Sequence, residues 1–128
     1  MLKPLLRSSK LGGLLAIGWA MGIAALFPQP APAADPKVVA IILNPQGSVV
    51  FAEPEITIKA GESVKWVPKD AGFPHRLVPD TANDAFVDTG KLNSTNPPTQ
   101  TFNTPGVIHY HCFFHPDTMK GTITVTAP

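Results

Sequence analysis

From Lys37 onward the chain is cut into short pieces, and this limits it to one class of fold. Apolar runs of about five residues alternate with turn-forming clusters, and no sustained helical period appears after Pro36. Lys37 to Leu43 is rich in Val and Ile and closes on Asn44-Pro45-Gln46-Gly47. Val49 to Phe51 resumes the run. Glu55 to Lys59 alternates, with Ile56 and Ile58 on one face. Ala60-Gly61-Glu62 turns the chain, and Val64 and Trp66 then share a face. Pro74 to Val78, Thr99 to Asn103, Val107 to Cys112 and Thr122 to Thr126 complete the extended segments, the last with Ile123 and Val125 inward. Short strands separated by frequent turns predict an all-β protein, an antiparallel sandwich or barrel. Asp80 to Pro98 is the exception. It is rich in Asn, Asp, Thr and Pro, and a single helical turn or short edge strand is expected near Ala85 to Leu92.

The amino end has a different character. Lys3, Arg7 and Lys10 precede an apolar run from Leu11 to Phe27, and Ala31-Pro32-Ala33 follows as a small-x-small signature. This is the layout of a cleaved secretory leader over residues 1–33, with a single domain from 34 to 128. A membrane anchor is the competing reading, because the run approaches the roughly 20 residues that span a bilayer. Small residues and prolines just past the run favour cleavage, with no stable membrane insertion afterwards. The precursor holds 10 Lys+Arg and 9 Asp+Glu; losing Lys3, Arg7 and Lys10 leaves seven cationic against nine anionic side chains, a formal net of −2. No basic patch remains to bind nucleic acid.

Chemistry concentrates near the carboxyl end, in His109-Tyr110-His111-Cys112-Phe113-Phe114-His115-Pro116-Asp117-Thr118-Met119-Lys120-Gly121. Cys112 is the only cysteine, so no internal disulfide can occupy it, and a lone thiol in an oxidising compartment calls for another occupant. Thiolate, imidazole and thioether are donors that soft or borderline transition metals accept. Strand alternation sorts the histidines. If Cys112 points inward, so does Tyr110, and His109 and His111 point outward. His115 lies past the strand end, where it can bend back toward Cys112. His75, entering a strand behind Pro74, is then the remaining source of a second imidazole. Met119 follows His115 by four positions. A buried inert cysteine and a core-filling methionine are the plain alternatives.

These segments resemble plastocyanin and its relatives in the cupredoxin family. Val50 to Val64 resembles the family's second and third strands, and Phe73-Pro74-His75 with Asp80 its first ligand segment. Tyr110-x-Cys112-x-x-His115 with Met119-x-Gly121-x-Ile123-x-Val125 resembles its closing ligand loop. The resemblance runs in order through nearly all of residues 34–128. It implies a Greek-key β-sandwich of seven or eight strands carrying one type 1 copper, with His75, Cys112, His115 and Met119 as ligands. Three features depart from the family pattern. Pro116, Asp117 and Thr118 separate His115 from Met119, where plastocyanins usually have four residues and amicyanin-like relatives two. Arg76 stands where an asparagine often ties the ligand loops together, and His111 where tyrosine often precedes the cysteine. The acidic patches of the plant protein have no clear counterpart.

The function this implies is a small exported blue-copper electron carrier, a monomer rather than an enzyme. It would dock transiently with redox partner proteins where the His115 edge emerges among Phe73, Pro74, Phe113, Phe114 and Pro116. The resemblance places it in a periplasm or thylakoid lumen, with a photosynthetic bacterium favoured. The same ligands could instead serve a copper-binding or copper-delivery protein of the same fold. An open-site copper enzyme is disfavoured by the full set of four side-chain ligands.

Overall fold

The computed structural model describes residues 32–70 and 72–128, with 27 and 28 before them, so the leader expected over 1–33 falls almost wholly outside the described residues. Eight strands form: β1 Lys37–Leu43, β2 Val49–Phe51, β3 Glu55–Lys59, β4 Ser63–Pro68, β5 Leu77–Pro79, β6 Thr99–Thr101, β7 Gly106–Cys112 and β8 Lys120–Thr126. They make two four-stranded sheets, ordered β2-β1-β4-β6 and β3-β8-β7-β5. No helix among the described residues is long and apolar enough to cross a membrane.

Alternation within each strand builds the core. β3 buries Ile56 and Ile58, β4 buries Val64 and Trp66, and β7 buries Ile108, Tyr110 and Cys112. The aromatic centre is tightly interlocked. Tyr110 stacks on Phe86 with ring centroids 4.8 Å apart and 4° between planes. Phe51 and Trp66 pack against the same ring at 5.2 and 5.5 Å. The Trp66 indole Nε1 donates to the Tyr110 hydroxyl at 3.0 Å. Burial deprives a phenolate of water and pushes the Tyr110 hydroxyl up to about 12, so it remains neutral as the acceptor of that bond.

Two expectations are corrected. The sheets are mixed rather than antiparallel, since β1 runs parallel to β4 and β3 parallel to β8. Parallel neighbours need a long crossover. Here the chain leaves the first sheet after β2, enters the second as β3, and returns as β4, so the partners are not adjacent in sequence. Residues 85–92 form neither a helical turn nor an edge strand. They are held by side chains instead. Phe86 is buried in the aromatic cluster, and Leu92 packs against the core. Gln100 is bonded both ways to the Val87 backbone, accepting at 3.0 Å and donating at 2.6 Å.

Candidate metal centre

Three segments converge at one end of the sandwich. Cys112 ends β7, so its direction is set by the same alternation that buries Tyr110, and it is fully buried. β5 pairs with it through Leu77↔Cys112. This register brings in the segment just before β5, where His75 is 1% exposed. The His75 carbonyl accepts from Leu92 N at 2.8 Å, which fixes the backbone there. His115 sits in the turn after β7. Its N–H donates to Cys112 O at 3.2 Å and its carbonyl accepts from Met119 N at 3.0 Å. Cys112 N in turn donates to Met119 O at 2.9 Å. The three-residue insert 116–118 is thus closed into a tight loop, and the Met119 side chain is fully buried beside the strand end.

The potential ligand atoms of His75, Cys112 and His115 all lie within 4.8 Å of one another. Cys112 Sγ is 3.9 Å from His75 Nδ1 and 3.6 Å from His115 Nδ1. Donors about 2.0–2.3 Å from one shared ion stand roughly 3.5–4 Å apart, so the spacing suits a single small cation. The electrostatics suit it too. Burial opposes ionisation of Cys112, but its side-chain contact with His75, the backbone at Arg76, the contact with His115 and the backbone at Phe114 outweigh it and bring the thiol down to about 6. A thiolate at neutral pH with two imidazole nitrogens facing it is a donor set for a soft or borderline transition metal.

The family model described as "Copper binding proteins, plastocyanin/azurin family" matches residues 40–126. The chain belongs to this copper-binding family. Within it, the chain is 42% identical over 88 residues to plastocyanin from Scenedesmus fuscus, covering 62% of this chain and 89% of that one. It is 32% identical over 132 residues to amicyanin from Paracoccus versutus, covering 97% and 95%. The crystal structure of that amicyanin superposes with a TM-score of 0.59, at 32% identity over 75% of this chain and 86% of that one. A Cu-containing nitrite reductase from Thermus scotoductus SA-01 also matches, at 26% identity and a TM-score of 0.62, but over only 25% of that enzyme's length. The cupredoxin fold and its copper are therefore those of the plastocyanin/azurin family.

The outward histidines do not join this family's metal cluster. His109 is half exposed and its ring lies 3.5 Å from Asp84, while His111 pairs with Asp80 at 2.6 Å. Asp84 also accepts the His109 N–H at 2.8 Å, and that bond, with those from Thr81, holds its carboxyl below the usual carboxylate range.

Arg76 supplies the tie between ligand loops by a different route. Its carbonyl accepts from Phe113 N at 2.7 Å, and its guanidinium lies over the Phe113 ring at 5.3 Å. Asp88 receives the same guanidinium through both oxygens, and this charge partner brings its carboxyl down to about 2. One residue that sequence reasoning missed lies against the cluster. The Asp70 carboxylate, 1% exposed, accepts from His75 Nε2 at 2.9 Å. Five residues upstream, among Lys69, Ala71 and Gly72, it reads as an ordinary turn aspartate.

Metal uptake by the apo protein is expected to weaken as pH falls below about 6. Protons then compete for Cys112, whose thiolate is present only above its lowered value. His75 adds to the competition. Burial opposes its protonation, but Cys112 and Asp70 outweigh that and raise it above its ordinary value. Copper titrations at stepped pH check this; affinity independent of pH between about 7 and 5 would contradict the assignment of these donors.

Proposed function

We propose that this protein is an exported, soluble one-electron carrier in which His75, Cys112 and His115 would hold copper, with the Met119 thioether as a weaker fourth donor. The observation that carries the reading is a donor set already assembled within 4.8 Å, two of its members buried and one ring reaching the surface. Copper, when bound, supplies the Cu(I)/Cu(II) couple. The residues do the rest. Cys112 and His75 are clamped into the sandwich end by strand pairing and hydrogen bonds, so little rearrangement accompanies a change of charge. His115 is half-buried, and its ring meets the Phe73 ring edge-on at 6.1 Å. Phe73, Phe113 and Phe114 are 46%, 57% and 46% exposed around it. An apolar rim about a ligand edge suits the small, short-lived interfaces of electron-transfer partners. Plastocyanin and amicyanin, which this chain resembles over most of their lengths, support the same class.

The visible spectrum of the copper-loaded protein tests the reading. Intense thiolate-to-copper absorption with slow loss of copper to a chelator is expected. Rapid exchange would favour copper delivery instead. The mature protein is expected to begin at Ala34 or within one or two residues of it. Mass spectrometry of material exported by the native host checks this, and an intact amino terminus in the membrane fraction would favour an anchor.

Met119→Leu is expected to keep copper and colour but raise the reduction potential, because losing the thioether disfavours Cu(II). Near-isosteric swaps cost less than about 1.5 kcal/mol, so the fold should survive. His109→Ala and His111→Ala should leave colour and potential nearly unchanged. Spectroelectrochemistry on the three variants decides; an unmoved potential in Met119→Leu would remove Met119 from the ligand set.

A further inference from the structure

The two imidazoles of the centre are held very differently. His75 is 1% exposed, and its Nε2 faces both oxygens of Asp70, at 3.0 and 2.9 Å. The Asp70 side chain is itself 1% exposed. His115 is half-buried, and among the described residues no carboxylate lies within ion-pair distance of its ring. A buried carboxylate is costly unless it is paired and hydrogen-bonded, so a partner this specific calls for an explanation.

The local backbone holds Asp70 in place. Lys69 N donates to Ile41 O at 2.8 Å, anchoring the exit from β4 to the neighbouring strand. Gly72, at φ +90°, turns the chain, with its N–H bonded to Asp70 O at 3.0 Å. The carboxylate is thereby delivered under the His75 ring. A carboxylate accepting from Nε2–H fixes the ring's tautomer: Nε2 carries the proton, and the Nδ1 lone pair is directed at Cys112. It also raises the basicity of the ligating nitrogen.

We infer that Asp70 is a positioning residue for the copper centre, which orients His75 through Nε2 and selectively stabilises Cu(II) by making Nδ1 a stronger donor. The inference rests on the copper reading above. The more electron-rich His75 favours the higher charge state, so Asp70 sets the reduction potential lower than an uncharged residue would. It also makes His75 the firmly held imidazole of the pair, and leaves His115 as the one free to adjust at the surface.

The test compares wild type with Asp70→Asn and Asp70→Ala. In Asp70→Asn the amide oxygen can still accept from Nε2–H, and only the charge is lost. The intense thiolate band should persist, Cu(II) affinity measured against a competing chelator should fall about 10–100-fold, and the reduction potential should rise. A tenfold loss confined to Cu(II) corresponds to about 59 mV for a one-electron couple. In Asp70→Ala both charge and acceptor are gone, and the losses should be larger. A role confined to holding the loop would lower thermal stability without moving the potential. A further measurement needs no variant: in the diamagnetic Cu(I) protein the His75 Nε2 proton should exchange slowly with solvent, as a buried, bonded proton does. A potential unchanged or lowered in Asp70→Asn, or rapid exchange of that proton in wild type, overturns the inference while the copper reading stands. Absence of the thiolate band in wild type overturns both.

Discussion

Cys112→Ser is expected to abolish the intense visible absorption of the copper-loaded protein and leave the sandwich folded. The colour depends on thiolate-to-copper charge transfer, and Cys112 is the only thiol in the chain. A serine hydroxyl is a hard, protonated donor at neutral pH and cannot replace a thiol already brought down to about 6. The fold should tolerate the change because backbone groups hold this position. Its N–H donates to Met119 O, and the residue pairs with Leu77 in the β5–β7 ladder. The aromatic cluster of Phe51, Trp66, Phe86 and Tyr110 does not involve it. The buried hydroxyl would face His75 and His115, so its net cost should stay on the order of 1 kcal/mol. Absorption, circular dichroism and thermal melting of the variant supply the check. Retained colour would mean that the sulfur donor lies elsewhere, and an unfolded variant would mean that the scaffold depends on this side chain.

The largest expected loss of stability comes from a residue with no side chain. Gly121 faces Tyr110 across the β7–β8 ladder. A Cβ built there would overlap the Tyr110 ring at Cζ, Cε1 and Oη. The ring has nowhere to go. It is stacked on Phe86, packed by Phe51 and Trp66, and bonded through its hydroxyl to the Trp66 indole. Gly121→Ala should therefore cost at least the roughly 1–3 kcal/mol typical of overpacking. In a domain of this size that lowers Tm by roughly 4–8 °C per kcal/mol. The effect should reach the metal centre, because Met119 lies two residues upstream on the same chain segment. A lowered melting temperature with an altered copper spectrum is expected. An unmoved Tm would show that Tyr110 relaxes freely and that the packing is looser than it looks.

Glycine at 121 could be seen in the sequence as part of a recurrent motif, but its reason could not. The need for an absent Cβ arises only when Tyr110 lies opposite, and that pairing joins residues eleven positions apart through strand register. Asp70 is a similar case. Its type and turn context are ordinary, and only the folding of its loop beneath His75 gives it a role. Arg76 departs from a family pattern, and the replacement tie through Phe113 and Asp88 is visible only in three dimensions. The length of the 80–98 loop predicts a local element near residues 85–92, yet contacts of Phe86 and Leu92 with the distant core hold the segment instead.

Much else was determined by the sequence alone, because it depends on short-range chemistry. Period-two alternation sets which residues of a strand face the core, so Ile108, Tyr110 and Cys112 turn inward and His109 and His111 outward without reference to any partner. Frequent turn residues exclude long helices and leave short strands. Cys112, His115 and Met119 lie within one strand end and one turn, so their common neighbourhood follows from spacing. Tertiary structure decided what spacing does not encode: which strands pair, in which direction and in which register. β1 meets β4 and β3 meets β8 in parallel only because the chain changes sheets between them. The same non-local pairing carries His75 to Cys112 and places Asp70 behind it, since such contacts depend on the energy of the whole packed sandwich rather than on any local run of residues.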